Sequence, residues 1–499
     1  MRPAEDLDRP APSERARDRL VAAGIFAAVT GVGLLLSRSV WDSYDARIMG
    51  SVATSIVNHG SITVPYDSYH LNSPHSFYGI GLSLLMIPPM QLFKLAGSTQ
   101  MAGQMLTNAV LLGVLAVVLY TWARIRSFSA GASAAVALSV ALGGGLLAYS
   151  ATGMSEIGLA VSVAVGLLAV TQIRLGHRAG PWLLGTAVGA SVIMRDDSAL
   201  LVAPWLLAGA WFAAPRTSRW GTLGRVAVAG IPWAGLWAWY NYARYGSPTK
   251  VGYSGVLTFN HSFLAGLYGL VLSPGRGYIL YAPLVLVAGA GMVRAWRRDP
   301  VLCTVAAGLL LGRVVFYSPY WGWYGGGGWG PRYLLAAVPA LAVGLMEILA
   351  GFGALRVGAR VLVAVLAALS VSIGFIGGAV DYERSALQRE LARIPGATLP
   401  TRTGREFVQL LESRRIQSGV DHAMFDWGVF PIPDEASMLI HRRDLVSDAL
   451  RRPADKLRDV LGLLLVATGS VAMVIGVRRR KTESKQVVRA ASEPELAGQ

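Results

Sequence analysis

Leu20-Val21-Ala22-Ala23-Gly24-Ile25-Phe26-Ala27-Ala28-Val29-Thr30-Gly31-Val32-Gly33-Leu34-Leu35-Leu36 runs into Ser37-Arg38-Ser39-Val40-Trp41-Asp42-Ser43-Tyr44-Asp45-Ala46-Arg47. The first part is an apolar run close to the length that a helix needs to cross a bilayer core. Two carboxylates follow it at once. A membrane-spanning helix that delivers acids to its far boundary sets the frame for the rest of the chain.

The whole sequence obeys that frame. Of its 499 residues, 53% are hydrophobic and 15% charged, against about 25% charged in a soluble protein. The mean hydropathy is +0.47. The apolar runs predict an all-α polytopic bundle of about 12 spanning helices. They lie near 20–37, 103–123, 129–151, 157–174, 180–194, 198–214, 225–243, 277–294, 300–318, 334–351, 358–380 and 457–477.

Charge sets the orientation. Lys and Arg number 45 against 29 Asp and Glu, a net charge of +16. Much of the excess sits in short runs: Arg124/Arg126, Arg174/Arg178, Arg216/Arg219/Arg225, Arg294/Arg297/Arg298, Arg356/Arg360 and Arg478 to Lys481. These fall at every second junction, the positive-inside pattern of cytoplasmic loops. They do not form the basic stripe of a nucleic-acid binder, so no nucleic-acid partner is expected. Both termini are then cytoplasmic. The leader 1–19 has no cleavage pattern behind it, so the first helix is expected to remain as an anchor. The tail 478–499 is polar and expected to be disordered. One cysteine, Cys303, excludes an intrachain disulfide and a cysteine-based metal site.

Parity singles out 78–95. Between the basic leader and Arg124 only two runs can cross, and 78–95 carries Pro88-Pro89 and Lys94. It is expected to lie at the outer face rather than span. The outer side then holds the loop 38–102, the turn around Glu156, Arg195–Asp197, 244–276, 319–333 and a polar segment 381–456 long enough for a small subdomain.

The residues able to do chemistry fall on that side. Asp42 and Asp45 suit a general base for a hydroxyl, though Asp is also common at helix starts. Tyr44 stands between them. Asp67, His70, Asn72 and His75 form a polar cluster in which His70 and His75, with Tyr44, suit contacts to a sugar or acceptor; it lacks the spacing of a metal site, and no metal or cofactor is expected. Glu156 is an ionisable group at a membrane boundary, a site candidate by default. Arg195 precedes Asp196-Asp197, which also reads as a local ion pair. Lys250 and Arg276, in Ser273-Pro274-Gly275-Arg276-Gly277, run against the positive-inside bias, and an outer anion such as a lipid phosphate would explain them. Tyr320-Trp321-Gly322-Trp323-Tyr324-Gly325-Gly326-Gly327-Gly328-Trp329-Gly330-Pro331-Arg332-Tyr333 combines aromatic faces with glycines that let a ligand approach backbone N–H groups. Trp323, Trp329 and Tyr333 suit a sugar, and Arg332 suits a phosphate. Arg313 lies inside a span, where it must face the bundle interior or a wet cavity.

This layout resembles the GT-C glycosyltransferases that use polyprenyl-phosphate sugars, the group of protein O-mannosyltransferases and bacterial aminoarabinose transferases. Asp45 after the first span, 78–95 as a juxtamembrane helix and Glu156 at the next outer turn carry the likeness. It extends to uncharacterised bacterial membrane proteins with an Asp…Gly spacing (Asp45 to Gly60), a Tyr-x-x-Gly-x-Ser-Leu-Leu-x-x-Pro segment (Tyr78 to Pro88), Ser-Pro-Gly-Arg-Gly (273–277) and Trp-Gly-Pro-Arg-Tyr (329–333). Most of 20–380 is covered. Where those proteins have Asp-Glu, this chain has Asp45-Ala46, so only the aspartate carries over and Asp42 stays an alternative.

The resemblance implies a GT-C-like module over 20–380 and a last anchor at 457–477. It implies inverting transfer from a polyprenyl-phosphate-linked sugar to a glycan, glycolipid or protein acceptor at the outer face of the cytoplasmic membrane. Asp45 would be the base, Glu156 would orient the acceptor, and Arg332 and Arg276, with Arg195, Lys250 or Arg313, would hold the phosphate. A lipid-sugar transporter and a non-catalytic envelope-assembly protein are the alternatives. The chain shows no internal repeat, which weighs against a transporter of inverted halves.

Overall fold

The computed structural model describes residues 12–37, 43–64, 74–97, 99–252, 258–326, 328–380 and 456–492, with the short pieces 424–425, 431–433 and 436–437. Asp42, His70 and nearly all of 381–456 lie outside the described residues.

The described chain is helical. Its elements are α1 (Pro12–Leu36), α2 (Tyr44–His59), α3 (Gly81–Leu95), α4 (Gln100–Ile125), α5 (Ala130–Gly143), α6 (Glu156–Arg174), α7 (Gly180–Met194) and α8 (Ala203–Ala213). They continue with α9 (Arg219–Tyr245), α10 (Phe263–Val271), α11 (Leu284–Trp296), α12 (Pro300–Tyr317), α13 (Leu341–Ala350), α14 (Val357–Ala379) and α15 (Lys456–Ser492). A lone bridge joins Thr63 to His75.

Among the described residues, seven helices are long and apolar enough to cross a membrane: α1, α4, α6, α12, the run Arg332–Ala350, α14 and the apolar part of α15. The expected number was higher, and several apolar runs are broken. The run 129–151 stops as an α-helix at Gly143, then continues as a 3-10 turn over Leu147–Ala151. Gly145 between them has φ +93°, a value that suits glycine. The run 277–294 is one turn at Tyr278–Tyr281 and then α11, with Pro283 at the joint. The run 334–351 starts as a 3-10 helix over Arg332–Ala340 and becomes α13 after Pro339. A proline lacks the N–H that would continue an α-helical ladder. α9 has 27 residues but is not among the seven.

α3 has 15 residues with Pro88 and Pro89 inside it, short of a full span. Leu82, Met86 and Met90 are buried while Leu85, Leu92 and Leu95 are exposed. Ser83 Oγ donates to Met49 O at 2.8 Å, and Gln104 Nε2 donates to Gly50 O at 3.0 Å. These bonds tie α3 and α4 to α2, the helix that carries Asp45.

α1 and α15 run antiparallel in close contact. A Cβ on Gly24 would lie 2.7 Å from Gly469 O, and one on Gly31 would lie 2.6 Å from Gly462 O. Small residues at such crossings let apolar helices pack backbone to backbone. Residues near Pro12 and Val477 therefore lie at the same end of the bundle.

α6 is the central helix. Its partners include α4, α7, α8 and the 3-10 helix Arg332–Ala340. It has 19 residues, a rise of about 28 Å, which separates Glu156 at its start from Arg174 at its end. α12 runs the other way, with Asp299 at its start and Arg313 and Tyr317 near its finish. The bundle thus has two charged ends. At the arginine-rich end, Asp18 accepts from Arg124 at 2.9 Å and from Tyr120 Oη at 3.1 Å. Asp299 pairs with Arg126 at 2.8 Å and with Arg174, and it caps α12 by accepting from Leu302 N at 3.1 Å.

Candidate active site

The opposite end collects acids and arginines from five parts of the chain. Asp45 stands in the first turn of α2. Glu156 opens α6 and is 1% exposed. Arg332 begins the 3-10 helix. Arg195 and Asp197 lie in the turn after α7, and Arg313 lies in α12.

Arg332 bridges the two carboxylates. Its Nη2 is 2.5 Å from Asp45 Oδ2 and its Nε is 2.5 Å from Glu156 Oε1. Arg195 Nη1 reaches the same Glu156 oxygen at 3.3 Å. Glu156 Oε2 is buried and has no hydrogen-bond partner among the described residues. Tyr78 Oη donates to Asp45 Oδ1. Asp45 is therefore held through both oxygens, by a phenol and by a guanidinium.

A second layer backs the first. Arg195 Nη2 is 3.3 Å from Asp197 Oδ2 and donates to Tyr317 Oη at 3.2 Å. Tyr317 Oη donates to Asp197 Oδ2. Arg313 is fully buried. Its Nη1 lies 3.6 Å from Asp197 Oδ2 and donates to Tyr333 O at 3.1 Å, while its Nε and Nη2 have no hydrogen-bond partner among the described residues. The Tyr317 and Tyr333 rings stack at 4.1 Å and 4°, and the Arg195 guanidinium lies 5.3 Å from the Tyr333 ring centre.

Asp196 and Asp197 are neighbours with opposite electrostatics. Burial alone would raise Asp197, but the Arg195 and Arg313 guanidiniums hold it below the usual carboxylate range. Burial raises Asp196 above that range, although Trp237 Nε1 donates to it at 2.7 Å.

The glycine-aromatic loop supports this cluster. Tyr149 Oη donates to Trp329 O at 2.8 Å. A Cβ on Gly328 would lie 2.7 Å from Tyr149 Oη and 3.0 Å from Arg332 Cδ. The glycine lets the loop fold over the arginine side chain. Arg276, 1% exposed, donates to Tyr324 O and Gly326 O at 2.7 Å each, so these donors are turned to the loop. Trp323 and Trp329 are 1% and 5% exposed. Trp323 stacks on Phe425 at 5.5 Å, and Trp329 meets Tyr281 edge-on at 5.0 Å.

The remaining candidates stand apart. Tyr44 is half-buried beside Asp45 and packs against the core. His75 lies in the loop before α3. Its affinity for a proton is lowered by burial and then by Arg244. Lys250 is exposed, 5.8 Å from the Tyr245 ring centre. Among the described residues there is no cluster of three His, Cys, Asp or Glu that could hold a metal.

Three members of the cluster had no site role assigned from sequence. Tyr78 lay inside a quoted motif but had no assigned role. Asp197 read as the local partner of Arg195, which it is, yet it also faces Arg313. Tyr317 carried no signal beyond closing an apolar run.

Fold and site together define a multi-pass helical membrane protein with a charged, aromatic-backed site at one end of its bundle. No family model and no curated protein matches the chain. Among solved structures, it is similar to ArnT from Cupriavidus metallidurans bound to undecaprenyl phosphate. The two share 16% identity at a TM-score of 0.47, over 96% of this chain and 81% of that one. The apo state of that protein is similar at 15% identity and a TM-score of 0.47, over 90% and 74%. The archaeal oligosaccharyltransferase AglB from Archaeoglobus fulgidus, in complex with an inhibitory peptide and a dolichol-phosphate, is similar at 13% identity and a TM-score of 0.46. That match covers 79% of this chain and 59% of AglB.

Proposed function

We propose that the chain is a membrane glycosyltransferase that moves a sugar from a polyprenyl-phosphate donor to a hydroxyl of a glycan, glycolipid or protein. The observation that carries this reading is Arg332, half-buried and shared between Asp45 and Glu156 at one end of an apolar bundle. An arginine shared by two carboxylates gives a donor phosphate a cation to compete for, and gives the acceptor a base once it does so.

The chemistry follows from those groups. The donor's phosphate enters beside Arg332, with Arg195 and Arg313 behind it, and draws the guanidinium from Asp45. The freed carboxylate takes the proton of the acceptor hydroxyl. That oxygen bonds to the anomeric carbon as the carbon–phosphate oxygen bond breaks, and polyprenyl phosphate leaves with the electron pair. The inversion expected at the anomeric carbon comes from a single displacement. The arginines stabilise charge that grows on the leaving phosphate, where fixed donors are most effective. Glu156 orients Arg332 and the acceptor. The arginine-rich end, with both chain termini, faces the cytoplasm, and the site faces outward across the cytoplasmic membrane.

The test is transfer by the purified chain in nanodiscs, with radiolabelled polyprenyl-phosphate sugars as donors and membrane extract as acceptor. Label should move with the wild type and stay on the lipid with Asp45→Asn. Equal transfer by both would sink the assignment of the base.

A further inference from the structure

One buried cation takes no part in the chemistry above. Arg244 lies in the last turn of α9 and is 6% exposed. Its donors go to one short stretch of backbone and to its own helix. Nη1 donates to Ser76 O at 2.7 Å and Tyr78 O at 3.1 Å. Nη2 donates to Asn241 Oδ1 at 2.6 Å, and Nε donates to Tyr240 O at 3.3 Å. The guanidinium lies 3.8 Å from the Tyr240 ring centre and 4.7 Å from that of Tyr245. Tyr245 Oη adds a bond to Ser76 O at 3.2 Å. A planar, permanently charged fork bound this way holds its partners in one geometry.

The stretch it grips carries Tyr78, whose phenol donates to Asp45 Oδ1. The next residue closes the grip from the other side: a Cβ on Gly79 would lie 2.4 Å from Ile193 O. The Tyr78 backbone is therefore fixed between α9 and the end of α7.

We infer that Arg244 is a positioning residue for the base: it places Tyr78, and through Tyr78 it sets the orientation of the Asp45 carboxylate. This rests on reading Asp45 as the base. Once a donor phosphate draws Arg332 away, the Tyr78 phenol is the contact that still holds Asp45. Loss of the link then slows turnover and leaves donor binding alone.

Tyr78→Phe and Arg244→Met are each expected to lower kcat about 10- to 100-fold, the worth of one charge-assisted hydrogen bond, with donor KM unchanged. The double variant should be no slower than the slower single one, and Arg244→Lys should recover part of the loss. Multiplying effects, or a lower folded yield with normal kcat, would overturn the inference. A readout independent of transfer is the fluorine resonance of 3-fluorotyrosine at position 78. Asp45→Asn and Arg244→Met should both move it from its wild-type position. A resonance unmoved by Arg244→Met overturns the positioning role, whether or not the chain transfers sugar. Absence of transfer from every lipid donor, with the resonance moving as expected, would instead remove the functional reading and leave the link.

Discussion

The two charged ends of the bundle use the same residue types differently. At the arginine-rich end Asp18 and Asp299 each accept through both carboxylate oxygens. Asp18 meets Arg124 and Tyr120, and Asp299 meets Arg126, Arg174 and a helix N–H. At the other end one arginine is divided between two acids. Among the described residues, a buried Glu156 oxygen and two Arg313 nitrogens there have no hydrogen-bond partner. Buried polar groups are costly without partners. Arg126 Nε also lacks a partner among the described residues, so the ends differ in their carboxylates: those of Asp18 and Asp299 are fully engaged and fasten helices together, whereas Glu156 keeps an oxygen able to accept from a ligand. The difference supports the proposed placement of the site at the Asp45 end.

The largest expected effect tests that contrast directly. Asp45→Asn should reduce transfer by about 10²- to 10⁴-fold, the range for a lost general base, with the thermal midpoint little changed. Asp299→Asn should do the reverse. It leaves Arg126 and Arg174 facing a neutral amide, so the midpoint falls while transfer per folded molecule holds. Paired activity and melting measurements check both. Equal loss of transfer in the two variants would erase the distinction between the ends.

Arg332→Lys comes next. A lysine keeps the charge but cannot fork between Asp45 and Glu156. Donor KM should rise by about tenfold or more, the loss of roughly one charge-assisted bond, with a smaller change in kcat. Donor titrations would show it, and a change in kcat alone would move Arg332 from donor binding to orientation of the acids.

How much of this was legible in sequence follows from the range of each interaction. Apolar runs and their arginine borders are local signals, so the helical bundle and its two unlike ends could be read directly. Asp45, Glu156, Arg195 and Arg332 stood out because charge at a membrane boundary needs a reason, and Arg313 because it lies within a span. Which groups meet was not legible. Tyr78 reaches Asp45 only because α3 folds back on α2 and Arg244 grips the loop between. Arg276 reads like a phosphate ligand, yet the glycine loop offers bare carbonyls that its guanidinium takes. Trp323 and Trp329 read like open sugar platforms, yet they pack inward under Phe425 and Tyr281. Breaks in the apolar runs at Gly143–Gly145, Pro283 and Pro339 shortened helices that hydropathy alone had drawn as continuous.

The smallest expected effect sharpens the comparison within the active end. Asp197 is held below the usual carboxylate range by Arg195 and Arg313. It stabilises the fold above the ordinary carboxylate value, about 3.9, and that stability is lost as pH falls through its depressed value. Asp196 is raised by burial. Its contribution is fully present below the ordinary value and is lost as pH rises through the raised one. Asp197→Asn should therefore lower the melting midpoint at pH 7. Asp196→Asn should raise it by a few degrees, because the amide oxygen can still accept from Trp237 and no buried charge remains. Near pH 4 the gain from Asp196→Asn should shrink, since a carboxyl raised by burial carries less charge there than at pH 7. Melting curves at the two pH values separate the neighbours. A fall in the midpoint for both variants at pH 7 would mean that Asp196, like Asp197, is held by the arginines rather than opposed by burial.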